Sequence, residues 1–318
     1  MASLDIKPLA EGIGFGARIA GIDRTALQDA DVRARLNALY EEKGVLVFEE
    51  MERTGRMLSD LAGVFGPLRD HAMNNVTEAD EESGAAVLEL KNGPQDGDIF
   101  EVDGQQLSGW LPWHYDACYA RELYRGALLR AIAIPPEGGL TGFADGIQLY
   151  RAISPDLREV CEKLEIVYHA GLMFMKQRFG MPASYRVVRM QQASLDVLEA
   201  HRDAPRAIQP AVWRRRTGEK VLHISPWQAA GIAGREDPEG DALLEAICQE
   251  IYAAMQPYWH AWQPGDMVLW DNWRFLHGVS GHDPRYTRHV HRVAIEGDYG
   301  LGRWETVPGE KAGVTADF

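Results

Sequence analysis

Apolar positions recur with two different periods along this chain. Over residues 30–43 they fall at Leu36, Leu39 and Tyr40, a spacing that predicts an amphipathic helix. Gly44 stops it, and the unbroken run Val45-Leu46-Val47-Phe48 predicts a buried strand. Residues 54–65 are again helical in pattern and end at Gly66-Pro67. Further on come short strand candidates at 127–134, 165–169, 209–213, 220–225, 258–262, 266–271 and 290–296, with one late helix over 241–255.

Two stretches break this rhythm. Residues 70–109 are polar and Gly-rich with a single strand candidate at 86–90, and residues 171–207 are rich in Met, Arg and Gln. Long polar stretches inside a compact chain read as lid-like insertions rather than linkers. No composition break marks a boundary, so residues 1–318 are expected to form one domain. Many short strands, few helices and no strand–helix alternation argue against a doubly wound parallel sheet. They favour a mainly β fold with flanking helices (α+β), a sandwich or barrel.

Composition narrows the function classes. Hydrophobic residues make up 46% and charged residues 25% of the 318, an ordinary globular balance. No run approaches the roughly 20 apolar residues of a spanning helix, and no secretory signal is visible at the start. The net charge of −14 repels phosphate backbones, so no nucleic acid is expected as partner, and the lack of a long apolar run leaves no membrane expected either. Cys118, Cys161 and Cys248 share no CxxC spacing, which fits a reducing, cytoplasmic setting.

Three motifs carry little. Gly12-Ile13-Gly14-Phe15-Gly16-Ala17 matches a loose dinucleotide pattern, but Lys7-Pro8 interrupts the strand it needs and Gly21 comes too soon for its helix. His201-Arg202-Asp203 lacks the asparagine of a kinase catalytic loop, and the acidic residues of 70–103 lack calcium-loop spacing. The informative segment is Trp113-His114-Tyr115-Asp116. Residues two apart on an extended chain share a face, so His114 and Asp116 can aim an imidazole and a carboxylate at one ion. Composition alone gives roughly 1.5 His-x-acid matches by chance. Of the two present, only this one sits among aromatics that could wall a dry metal site. A third ligand, His277, follows the apolar strand that ends at Trp270-Asp271-Asn272, and would complete a 2-His-1-carboxylate face. Beyond it, Arg285, Arg288 and Arg292 suit a small dianionic acid.

Taken together, these segments resemble the taurine dioxygenase/TfdA family of Fe(II)- and 2-oxoglutarate-dependent dioxygenases. The resemblance runs from Ile6-Lys7-Pro8-Leu9 through Phe65-Gly66-Pro67-Leu68, Trp113-His114-x-Asp116 and Gly138-Gly139-x-Thr141 to Trp270-Asp271-Asn272, His277, Arg288 and Arg292. It implies a double-stranded β-helix (jelly roll) that uses Fe(II), 2-oxoglutarate and O2. By that likeness His114, Asp116 and His277 are metal ligands and catalytic, and Thr141 and Arg288 bind 2-oxoglutarate. His71 and Arg292 match substrate-contacting positions, to which Trp110, Tyr119 and His223 are added as substrate-binding candidates. The implied reaction is oxidative decarboxylation of 2-oxoglutarate to succinate, with hydroxylation or cleavage of a small organic acid; the alternative outcome is desaturation or another oxidation by the same iron chemistry in secondary metabolism. The family often has arginine directly after Trp-Asp-Asn; here Trp273 intervenes before Arg274. Trp110 replaces a small polar residue and His223 an aromatic, changes that point away from taurine. The expected substrate is anionic with an apolar, aromatic body, flanked by Trp110, Tyr119 and Met173-Phe174-Met175. A homo-oligomer is compatible with this reading. Two rival classes are a nicotinamide oxidoreductase and a metal-binding jelly roll without catalysis.

Overall fold

The side chain of Asp29 accepts hydrogen bonds from the backbone N–H groups of Asp31 and Val32, starting the helix Ala30–Lys43. Gly44, with φ 72°, closes it through a bond from its N–H to the Tyr40 carbonyl. Val32, Leu36 and Tyr40 recur every four residues and are buried. A computed structural model describes residues 4–69, 87–172 and 176–306. Among these, the larger sheet runs Asp5–Pro8, Ala17–Ala20, Val45–Phe48, Met267–Asp271, Gly126–Ala133, Arg288–Ile295 and Leu68–Arg69, with Leu88–Asn92 also paired to Arg288–Ile295. The second sheet runs Arg186–Arg189, Ile99–Val102, Gln105–His114, Phe275–His282, Thr141–Asp145 and Tyr258–His260.

The larger sheet is apolar on both faces, which is why its strands read as continuous hydrophobic runs. Val45, Val47, Ala127, Leu129, Val268, Trp270 and Val290 pack inward with Phe143 and Phe275 of the second sheet. Their neighbours Leu46, Phe48, Leu128, Met267, Leu269, Val293 and Ile295 pack outward with residues of the helices Ala30–Lys43 and Gly55–Ala62. A third cluster joins Ala144 and Leu276 of the second sheet to Leu244, Ile247, Cys248 and Ile251 of the helix Pro238–Ala254. Two facing sheets with helices outside form the jelly roll that the sequence led us to expect.

The polar stretches differ from expectation. From Leu88 onward the 70–109 segment is built into both sheets, as Leu88–Asn92, Ile99–Val102 and the start of Gln105–His114. Gly93 and Gly97 lie in the turn between Leu88–Asn92 and Ile99–Val102, Gly104 in the hairpin turn before Gln105, and Gly109 within the strand Gln105–His114. Residues 70–86 lie outside the described residues. In the 171–207 stretch, Arg186–Arg189 edges the second sheet and Gln192–Ala200 is a helix. The strand expected at 209–213 is two strands, Ala207–Pro210 and Val212–Arg214, which pair in different sheets. No helix among the described residues is long and apolar enough to cross a membrane, and all three cysteines are buried and unbridged.

Gly44 is where helix, strand and sheet packing meet. A Cβ there would lie 2.3 Å from Phe275 Cε2 while holding a left-handed backbone. Gly44→Ala is therefore expected to lower the unfolding free energy by roughly 1–3 kcal/mol. Urea denaturation reads this, and an unchanged midpoint would contradict the packing described.

Candidate active site

His114 and His277 face each other across adjacent antiparallel strands. Phe143, opposite His277 on its other side, belongs to the inward cluster, so both imidazoles point between the sheets. Each ring's Nδ1 is turned to a backbone carbonyl, His114 to Pro112 at 2.8 Å and His277 to Phe275 at 3.4 Å. That leaves the Nε2 lone pair of each ring free to ligate a metal ion. Asp116 completes the group, with Oδ1 3.7 Å from His114 Nε2 and Oδ2 3.6 Å from His277 Nε2. Two atoms bound about 2.1 Å from one ion lie at most about 4.2 Å apart, so this spacing accommodates a metal. The rings of Trp227 and Trp270 abut His114 and His277 at 4.7 and 4.9 Å and keep the site dry.

Asp116 is held from two directions, its backbone by Asn272 and its carboxylate by Arg292. Asn272 Oδ1 accepts the Asp116 N–H at 2.8 Å, while its Nδ2 donates to the carbonyls of Asp116 at 3.0 Å and Tyr124 at 3.2 Å. This amide clamp supports the turn at Ala117, whose φ of 60° is costly for a residue with a Cβ. Arg292 Nη2 donates to Asp116 Oδ2 at 2.6 Å. Burial opposes ionisation of Asp116, yet Arg292, His277 and His114 together hold its carboxyl well below the usual range. Burial, followed by the neighbouring His277, pushes the His114 imidazole down to about 3, so it is neutral and able to ligate.

The chain approaching His277 is fixed by charge pairs. Arg274 grips Asp145 with two bonds, Nε to Oδ1 at 2.9 Å and Nη2 to Oδ2 at 2.7 Å. Asp145 also caps the helix Gly146–Ala152. The fully buried Asp271 is paired with Arg125 at 2.6 Å and Arg215 at 3.1 Å. The arginine displaced one place by Trp273 thus has a defined task.

A second polar group lies on the same inner face. Thr141 is two residues before Phe143 on its strand, and Arg288 alternates with Val290 and Arg292 on the facing sheet. Arg288 donates to the Gly139 carbonyl at 2.9 Å and to Thr141 Oγ1 at 3.1 Å. Trp262 Nε1 also donates to that hydroxyl at 3.1 Å, leaving its proton for an outside acceptor. Burial pushes the guanidinium down to about 10, still cationic at neutral pH, and it forms no ion pair among the described residues. A buried cation beside a hydroxyl proton fits the carboxylate of a 2-oxo diacid.

The remaining candidates divide. Tyr119 is close enough to Asp116 and Arg292 for their charges to act on its phenol. Trp110 is not on the metal side. His277 pairs with His114 but Val279 pairs with Leu111, so a bulge inserts one residue and turns Trp110, opposite Ser280, to the outer face. There it packs on Phe100 and Tyr185. His223, expected near substrate, is fully buried and stacked between Tyr115 at 3.9 Å and Trp213 at 4.3 Å. His71 and Met173–Met175 lie outside the described residues. Asn272, Trp227 and Trp262 carried no role in the sequence reading; only Asn272 stood in a motif that could have flagged it. The glycine segment at 12–17 runs into the strand Ala17–Ala20, not a helix.

Among the described residues, one other trio of ligand types, Glu89, His289 and His291, brings its atoms within 4.8 Å. It lies on the opposite face of its strand from Arg288 and Arg292. Glu89 Oε1 is 2.7 Å from His289 Nε2, and Arg130 Nη2 is 3.3 Å from His291 Nδ1. A guanidinium there competes with any cation.

The His223 stack has a consequence for stability. Burial pushes its imidazole from the ordinary 6.5 down to about 3. Between those values the unfolded chain binds a proton that the folded chain does not, so stability falls as pH drops through the window. The slope contributed is up to about 1.4 kcal/mol per pH unit. His223→Phe is expected to flatten that part of the stability–pH profile, and equal slopes in the two proteins would contradict it.

With this geometry in place, likeness to known proteins becomes meaningful. Residues 5–294 match the family model described as taurine catabolism dioxygenase TauD, TfdA family. The chain is 32% identical over 299 residues to an (S)-phenoxypropionate/alpha-ketoglutarate-dioxygenase of Sphingobium herbicidovorans, covering 93% of this chain and 96% of the relative. It is 28% identical over 293 residues to the alpha-ketoglutarate-dependent 2,4-dichlorophenoxyacetate dioxygenase of Cupriavidus pinatubonensis, covering 89% and 95%. The fold is shared with a crystal structure of a taurine dioxygenase from Burkholderia xenovorans, at TM-score 0.66, 23% identity and 95% coverage of both chains. The chain belongs to the TauD/TfdA family of Fe(II)- and 2-oxoglutarate-dependent dioxygenases.

Proposed function

We propose that this dioxygenase oxidises a small aromatic carboxylic acid, with Fe(II) held by His114, Asp116 and His277 and 2-oxoglutarate held by Arg288 and Thr141. The observation that carries the reading is the convergence of these five side chains on one inner face between the sheets. When bound, the iron and 2-oxoglutarate supply O2 activation and the oxidising power for a substrate C–H bond. The protein's own contribution is placement. The two imidazoles present Nε2, the Asn272 clamp fixes the Asp116 backbone while Arg292 meets its carboxylate, and the tryptophan rings exclude water.

The substrate class rests on two supports. The relatives named above act on phenoxypropionate and on 2,4-dichlorophenoxyacetate. In this chain Arg292, a cation for a carboxylate, lies 5.4 Å from the Tyr124 ring centre and 6.0 Å from that of Trp270, with Tyr119 close by. Such a surround suits an aryl group bearing an acid better than a small sulfonate, which would leave apolar wall exposed to water.

Arg288→Lys keeps the charge but loses the planar fork, and is expected to raise the KM for 2-oxoglutarate about tenfold, with less effect on the acid. A change confined to the acid's KM would reverse the roles of Arg288 and Arg292. The function itself is tested by competitive turnover of a phenoxyalkanoate and taurine, followed by succinate formation. Preference for the phenoxyalkanoate is expected; preference for taurine or for an uncharged compound would refute the substrate class.

A further inference from the structure

Arg292 has more than one claim on its guanidinium. Its Nη2 lies 2.6 Å from Asp116 Oδ2, the shortest approach of any group to that carboxylate among those described above. The side chain is only 9% exposed, rises from the inner face of Arg288–Ile295, and lies over the rings of Tyr124 and Trp270. Such enclosure leaves the charge few places to go. An ion pair this enclosed is oriented by its surroundings and not by free rotation in water, so it fixes the rotation of the carboxylate. Both carboxylate oxygens lie near an imidazole, Oδ1 3.7 Å from His114 Nε2 and Oδ2 3.6 Å from His277 Nε2, but only Oδ2 accepts from the guanidinium, which makes Oδ1 the more available of the two to a metal ion. A guanidinium has five N–H donors, so those beyond Nη2 can meet a second anion.

We propose that Arg292 is a positioning residue for Asp116, holding Oδ2 so that the carboxylate ligates through one oxygen, and that an anionic substrate competes for the same guanidinium. The substrate's acid group is thereby coupled to the geometry of a metal ligand. The proposal rests on the reading of His114, Asp116 and His277 as the metal site. It separates Arg292 from Arg288, which touches no carboxylate among the described residues and holds its cation for the cosubstrate. A residue that only anchored substrate would leave the metal's coordination unchanged when the substrate is absent.

The test uses Co2+ in place of iron, without 2-oxoglutarate or acid, and reads the visible d–d absorption of the protein. Arg292→Met frees the second carboxylate oxygen, so the bands are expected to shift and to weaken as coordination number rises. Arg292→Lys retains a cationic donor and is expected to keep the wild-type bands. Adding a phenoxyalkanoate should perturb the wild-type spectrum and leave that of Arg292→Met unchanged. Superimposable spectra of wild type and Arg292→Met would overturn the proposal, leaving Arg292 as a substrate anchor. Should Arg292→Met not fold by circular dichroism, Arg292→Ala takes its place with the same expected and overturning results. Asp116→Ala separates the two levels: a wild-type Co2+ spectrum in that variant would overturn the metal-site reading itself.

Discussion

The pairing of His114 with His277 across two neighbouring strands is the constraint on which the rest of the site depends. A strand exposes alternate residues to opposite faces, so a slip of one residue would send an imidazole to the outer side. The register is held where it matters. Phe143, on the strand next to His277, is locked into the inward cluster with Val45, Val268 and Trp270. The bulge beyond Leu111 sets the phase on the other strand. It brings His114 inward while allowing the preceding stretch, with Trp110, to pack outside. Asp116 follows as soon as the strand ends, where a turn can bring its carboxylate back toward the two rings.

Charge is handled by local pairing in a protein whose overall balance is strongly acidic. Asp116 with Arg292, Asp145 with Arg274, and Asp271 with Arg125 and Arg215 are largely buried. Removing one partner from such a pair leaves an uncompensated charge, so these pairs specify geometry more than they add stability. Two of them hold the segment that delivers His277 and the Asn272 clamp. Arg288 is the contrast. It is equally buried but meets only a carbonyl and a hydroxyl among the described residues, the arrangement suited to receiving an acid from solution.

Much of this was legible in the sequence where one physical cause acts alone. The helix Ala30–Lys43 has a cap, a period and a glycine stop, and each appears in the chain of letters. The grouping of His114, Asp116 and His277 and the contact of Arg288 with Thr141 were also legible, through motif spacing and family likeness. What remained hidden depends on tertiary register. Trp110 lies four residues before His114, so strict alternation places both on one face; the bulge that reverses this has no local signature. His223 has the residue type of a ligand but is claimed by two flat rings, Tyr115 and Trp213, brought from distant strands and turns. In the 88–109 stretch the strands are short and separated by glycine-containing turns, so no run is long enough to show a period. Arg292 was expected to face substrate; its bond to Asp116 adds a duty that spacing alone could not reveal.

The most direct measurement is an anomalous X-ray difference map from crystals grown with Mn2+ and 2-oxoglutarate. The expected result is a single peak bound by Nε2 of His114, Nε2 of His277 and one carboxylate oxygen of Asp116, with the diacid reaching Arg288. A peak only at Glu89, His289 and His291, or a metal held without Asp116, would contradict the central claim.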